Sequence, residues 1–187
     1  MIPNHLEAVT NKLKESGSKL TIKGNSITIK GKEIKGVDID TAPFPGFPTD
    51  LQAPFTALMT IANGESKITE TIFENRMNHI QLLNKMGAHI KLNKNVAHIK
   101  GVKKINGMNL VGSDLRSSAA LIIAGIIAKG CSKIYGLEHL DRGYENFELK
   151  LKNLGIKITR EVSKSTFEKN DYKIKTKSEK LAKLKAA

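Results

Sequence analysis

The 187-residue chain repeats itself at an interval of about 66 residues, and that repeat limits what it can fold into. Thr-Asp-Leu-Gln-Ala-Pro-Phe-Thr-Ala-Leu at 49–58 returns as Ser-Asp-Leu-Arg-Ser-Ser-Ala-Ala-Leu-Ile at 113–122. Both run through an apolar stretch to Gly-x-x-Lys-Ile, beginning at Gly64 and Gly130. Glu-Asn-Arg at 74–76 then matches Leu-Asp-Arg at 140–142, and Lys-Met-Gly87 matches Asn-Leu-Gly155. The offset drifts from 64 (Asp50 to Asp114) through 66 (Arg76 to Arg142) to 68 (Gly87 to Gly155), as small loop insertions would produce.

Each unit reads strand, helix, strand, helix, strand, strand. The first helix, residues 51–63 and 115–128, is apolar nearly all round; Leu121, Ile122, Ile123, Ile126 and Ile127 crowd its second copy, so it is expected to be buried on most sides. The second helix is amphipathic, with Ile80, Leu83 and Met86 on one stripe and glycine just past its end. The closing strands alternate. Residues 3–17 and the hairpin at 20–29, turning at Gly24-Asn25, form only the second half of such a unit. The chain therefore divides into a half unit (1–37), two full units (38–101 and 102–160) and a Lys-rich tail (161–187) expected to be flexible. Met1 reads as the start of a truncated or split reading frame.

Only four of the 31 basic residues are arginine, and Arg76, Arg116 and Arg142 each fall where a strand pattern gives way to a helix pattern. In a lysine-rich chain, arginine at such loops points to a planar fork of donors for phosphate or carboxylate. The net charge of +13 does not by itself mean nucleic acid: the lysines are scattered, Trp is absent and aromatics make up 5%. Residues 161–187 hold eight lysines against four acids. No run of 18 apolar residues exists, the start lacks a signal-peptide pattern, and a single cysteine suits a reducing cytoplasm. Cys131 reads as a small packing residue near a turn. The five histidines show no metal-ligand spacing, so no metal is expected; no phosphate-binding glycine loop appears, and no cofactor is expected.

These motifs, in this order, resemble the C-terminal part of the UDP-N-acetylglucosamine enolpyruvyl transferase family. The likeness rests on 41–55 (Thr-Ala-Pro-Phe-Pro-Gly-Phe-Pro-Thr-Asp-Leu-Gln-Ala-Pro-Phe), 68–77, 86–89, 113–119 and 140–145, and it covers roughly residues 2–160. The resemblance implies an α/β fold of α+β repeats, the enolpyruvyl transferase-like inverse α/β barrel built from βαβαββ units, with about two and a half units here. It implies two domains closing on substrate, and transfer of the enolpyruvyl group of phosphoenolpyruvate to the 3′-hydroxyl of UDP-N-acetylglucosamine with release of phosphate, in the cytoplasm. No nucleic acid or membrane partner is implied.

The resemblance also assigns roles. Asp50 matches an aspartate that contacts the sugar hydroxyl and takes its proton; without the resemblance it reads as a helix N-cap. Arg142 matches an arginine on phosphoenolpyruvate, Arg76 and Arg116 match arginines lining the same cleft, and Asp114 a carboxylate beside it. The plainer reading for each is a surface ion pair. Ile72 matches a position touching the UDP-sugar, and alone reads as a core strand residue. His79 and His139 flank the arginine loops and read as solvated or capping. The family's reactive loop cysteine belongs to an N-terminal half not found here, so Cys131 does not replace it and the chain alone is expected to be inactive. Two alternatives stand beside this reading: a non-catalytic basic module for nucleic acid or anionic metabolites, and a relative of the shikimate-pathway transferase.

Overall fold

Glycine ends the amphipathic helices as the repeat requires: Gly87 and Gly155 take φ of 96° and 84°, left-handed values that cost a side-chain-bearing residue dearly. The computed structural model describes residues 2–161 and the backbone of 162 and 170–175. A 3₁₀ turn (Pro3–Leu6) leads into α1 (Glu7–Glu15), then β1 (Lys19–Lys23) and β2 (Ser26–Lys30). The next unit holds β3 (Ile39–Asp40), a 3₁₀ turn (Thr49–Leu51), α2 (Gln52–Met59), β4 (Glu65–Thr69), α3 (His79–Lys85), β5 (His89–Asn93) and β6 (Val96–Lys100). The last holds β7 (Asn109–Val111), α4 (Leu115–Ile127), β8 (Cys131–Tyr135), α5 (Glu138–Asp141), α6 (Phe147–Asn153), β9 (Ile158–Val162) and β10 (Asn170–Lys175).

The two full units build the same sheet. One runs β3-β4-β6-β5 and the other β7-β8-β10-β9, with β3/β4 and β7/β8 parallel and the remaining pairs antiparallel. A parallel pair needs a crossover, and α2 and α4 supply it. The two crossover helices pack against each other between the sheets, so Ala57, Met59, Ala120, Leu121 and Ile122 are fully buried in one core with Ile68 and Ile134. The inverse barrel is not closed among the described residues; β1 and β2 pair only with each other.

Three expectations change. The Lys-rich stretch is not wholly outside the pattern: β10 inserts between β8 and β9 as β6 inserts between β4 and β5, so the third unit reaches Lys175 rather than residue 160. Tyr172 pairs with both Ile134 and Arg160, and backbone ladder bonds do not depend on the lysines. The rest of the tail expectation lies outside the described residues. The first apolar helix is shorter than 51–63, because Thr60, Ile61 and Ala62 close i→i−3 bonds to Ala57, Leu58 and Met59 and tighten its end. Cys131 opens β8 on its outward phase and is exposed, not packed. The α4 helix is buried on most sides, yet Ile123, Ile126 and Ile127, one stripe at helical spacing, stay half-buried.

Candidate functional site

Asp50 is the centre of the site. It lies in the turn before α2, not at a cap: Leu51 caps α2 and uses no side chain. Its carboxylate instead gathers arginines from both full units. Arg116 Nε donates to Asp50 Oδ1 at 2.6 Å and Arg116 Nη2 stands 2.5 Å from the same oxygen. Arg76 Nη1 reaches that oxygen at 3.5 Å and donates to Thr49 Oγ1 at 2.9 Å. The Asp50 side chain remains 65% exposed while Arg116 and Arg76 are 26% and 19% exposed. An exposed pair of this kind contributes little to stability, so its interest is chemical: guanidinium forks from two units share one exposed carboxylate.

Each member is held by the local chain. Arg76 sits in the loop between β4 and α3 with its Cζ 3.6 Å from the Phe73 ring centroid, a cation–π contact that fixes the head group. Arg116 lies in the first turn of α4 rather than in a loop, because Asp114 caps the helix by accepting from the backbone N–H groups of Arg116 and Ser117. Asp114 thus combines a capping role with a place on the groove wall. Together these residues line a groove of about 670 Å³ whose rim includes Ile72, Phe73, Glu74 and Asn78. Ile72 is 38% exposed and lies beyond the end of β4, so it is a rim residue and not a core strand residue.

Arg142 is the exception. It caps α5, is exposed, and its side chain makes no hydrogen bond or ion pair among the described residues. Its loop nonetheless sits beside the site: a Cβ at Gly143 would come within 2.9 Å of the Leu115 side chain. Tyr144, two residues on, is close enough to feel both partners. Burial pushes its hydroxyl pKa up, Asp50 adds to the rise and Arg116 opposes it.

Two residues that the sequence reading left without a role emerge beneath the rim. Glu70 is buried and accepts four hydrogen bonds: Thr41 Oγ1 at 2.9 Å, Thr49 Oγ1 at 2.7 Å, and the N–H groups of Ile72 and Phe73 at 2.9 and 3.2 Å. Burial pushes its carboxyl up, yet these bonds outweigh burial and hold it below the usual carboxylate range. The signal was available: Ser66, Ile68 and Glu70 share the inward phase at the end of β4, and an acid there demands partners. His79, expected to be solvated or capping, is 2% exposed at the first turn of α3. Burial drives its pKa down to about 4, against the attraction of Asp114. Its spacing before Leu83, on the buried stripe, was the clue. Among the described residues no three His, Cys, Asp or Glu side chains gather as a metal site, and no helix is long and apolar enough to cross a membrane.

A repeated βαβαββ unit whose crossover helices pack together defines a fold class, and known proteins share it. The sequence profile described as EPSP synthase (3-phosphoshikimate 1-carboxyvinyltransferase) matches residues 1–151, and the chain belongs to this family. Within it, the chain is 86% identical over its whole length to a UDP-N-acetylglucosamine 1-carboxyvinyltransferase of Prochlorococcus marinus (strain AS9601), spanning 41% of that protein. It is 47% identical, over 86% of its length and 37% of the relative's, to the protein of the same name from Synechocystis sp.. The chain thus spans about two fifths of the curated relatives it matches. Among solved structures, the enolpyruvyl transferase NikO from Streptomyces tendae superposes with a TM-score of 0.73 at 21% identity, over 92% of this chain and 37% of that one. An EPSP synthase from Acinetobacter baumannii gives 0.56 at 14% identity, over 90% of this chain and 56% of that one. These two likenesses establish the enolpyruvyl transferase fold.

Proposed function

We propose that this chain forms one wall of a cleft in which the enolpyruvyl group of phosphoenolpyruvate passes to the 3′-hydroxyl of UDP-N-acetylglucosamine, releasing phosphate, in peptidoglycan synthesis. The observation that supports it most is that Arg76 and Arg116, from two units, line one groove and both reach the Asp50 carboxylate. The high identity to transferases of that name supports the choice of sugar nucleotide over shikimate phosphate.

The roles follow from geometry. A proton on C3 of phosphoenolpyruvate makes C2 electrophilic; the sugar oxygen bonds to C2 as its proton leaves for a base; loss of phosphate and of a C3 proton restores the vinyl group. Asp50 is the base in this scheme, since its carboxylate is exposed beside the two groove arginines and Oδ2 makes no hydrogen bond among the described residues. Arg76 and Arg116 hold the anionic groups through planar forks, and Arg142 joins them from its adjacent loop when substrate binds. The backbone of Ile72, fixed by Glu70, borders the sugar nucleotide. The C3 proton is expected from outside the two fifths of the relatives' length that these residues span, so residues 1–187 by themselves are expected not to turn over, and the cytoplasm is the expected compartment.

The test is to combine residues 1–187 with the N-terminal part of the Prochlorococcus marinus relative, supply both substrates and measure phosphate release. Release is expected from the pair, not from either part, and Asp50→Asn should abolish it. A folded pair with no release, or full turnover by residues 1–187 alone, overturns the proposal.

A further inference from the structure

Two side chains in the groove have no hydrogen-bond partner among the described residues. His79 Nε2 and Ser117 Oγ are both buried and unpartnered, and each residue is only 2% exposed. They come from different helices, α3 and α4, and with the buried Ala53 of α2 they line the bottom of the opening that Arg76 and Arg116 overlook. Buried polar atoms in native structures are nearly always satisfied, so two orphans meeting at one groove mark a place that another molecule completes.

We propose that His79 and Ser117 form a neutral hydrogen-bonding floor for the ligand that Arg76 and Arg116 hold, taking one of its phosphoryl or carboxylate oxygens. This rests on the reading of the groove as an anionic-substrate site. The division of labour is physical. The arginines at the rim supply positive charge; the floor supplies direction without adding charge, because the buried imidazole is uncharged near neutral pH and a serine hydroxyl always is. A neutral imidazole donates from one ring nitrogen, and the hydroxyl rotates to donate or accept, so together they suit an oxygen with lone pairs. Asp114, the charged group that acts on His79, is committed through its Oδ1 to the backbone of α4.

The experiment is calorimetric titration of residues 1–187 with phosphoenolpyruvate, with inorganic phosphate and pyruvate as separate arms. Wild type, Arg116→Ala, His79→Phe and Ser117→Ala are compared after circular dichroism shows each to be folded. His79→Phe and Ser117→Ala are each expected to weaken binding about fivefold or more, as loss of one neutral hydrogen bond does. Loss in the phosphate arm assigns the floor to the phosphoryl group, and loss in the pyruvate arm to the carboxylate. Weakening by Arg116→Ala with no change in the two floor variants overturns this inference alone and leaves only a trapped water there. Binding that Arg116→Ala does not affect, or no binding at all, overturns the groove reading and the floor with it. Since a substitution at His79 can disturb packing, the ring-nitrogen resonances of the wild-type imidazole give a second reading. They are expected to shift on titration, and resonances that stay fixed while ligand binds overturn the proposal.

Discussion

Acidification from pH 7 to pH 4 is expected to remove about 3 kcal/mol of folding stability through His79 alone. Burial holds the folded imidazole at about 4, against 6.5 for an unperturbed histidine, and each unit of difference corresponds to about 1.4 kcal/mol. Between those two values the unfolded chain binds a proton that the folded chain refuses, so stability falls as acid is added. The contribution is complete above pH 6.5 and gone below about pH 4. Attraction to Asp114 works the other way and is already included in that balance. Urea titrations at half-unit steps of pH, on wild type and His79→Phe, measure the slope directly. The variant should lose most of the wild-type slope between pH 6.5 and 4.5. Parallel slopes in the two proteins would refute burial of a neutral imidazole. Glu70 does not confuse the result, because its depressed carboxyl gives up its contribution only as pH falls below the ordinary carboxylate value of 4.5.

Glu70→Gln should cost about 1–3 kcal/mol, because the amide group would face Thr49 Oγ1, which already accepts from Arg76; urea unfolding measures the loss, and hydrogen exchange at the Ile72 and Phe73 amides should accelerate. Gly101→Ala should destabilise by about 3 kcal/mol or more or prevent folding, since its Cβ would lie 1.7 Å from the Ala62 carbonyl oxygen; a melting temperature within a degree of wild type would contradict that close approach. Arg142→Lys should leave stability unchanged, as Arg142 holds no partner among the described residues, yet lower phosphate release by the combined halves at least tenfold by losing the bidentate fork. Equal turnover would make Arg142 a surface residue.

Most of the architecture was legible because the repeat sets two copies of each element side by side. Gly87 and Gly155 mark equivalent helix ends, and the alternation in 20–22 and 27–29 carries the hairpin. The closing strand at 170–175 was missed for a compositional reason: Asn-Asp-Tyr-Lys-Ile-Lys presents little apolar phase, and the connection before it is longer than the two-residue turn at Lys94-Asn95. Its existence follows from the sheet's need for a strand between β8 and β9, a tertiary demand that local pattern does not carry. At the site, Asp50, Arg76, Asp114 and Arg116 were nameable from their motifs. Glu70 and His79 were not, because a buried polar side chain looks like a solvated one until the phase of its strand or helix is followed to its end.

The carboxylate of Asp50 acts toward Arg76 and Arg116 as a tethered counterion. Two guanidinium groups left alone at an opening would repel each other and sample many rotamers; the shared oxygen keeps both oriented while no substrate is present. In the proposed cleft an arriving phosphate or carboxylate would enter by exchange, displacing one anion from donors already in place, so little ordering would remain to be done at that moment. On the proposed reading the same exchange would set Asp50 loose as the arginines are occupied, so competition for one pair of forks would order the events: anion first, free base second.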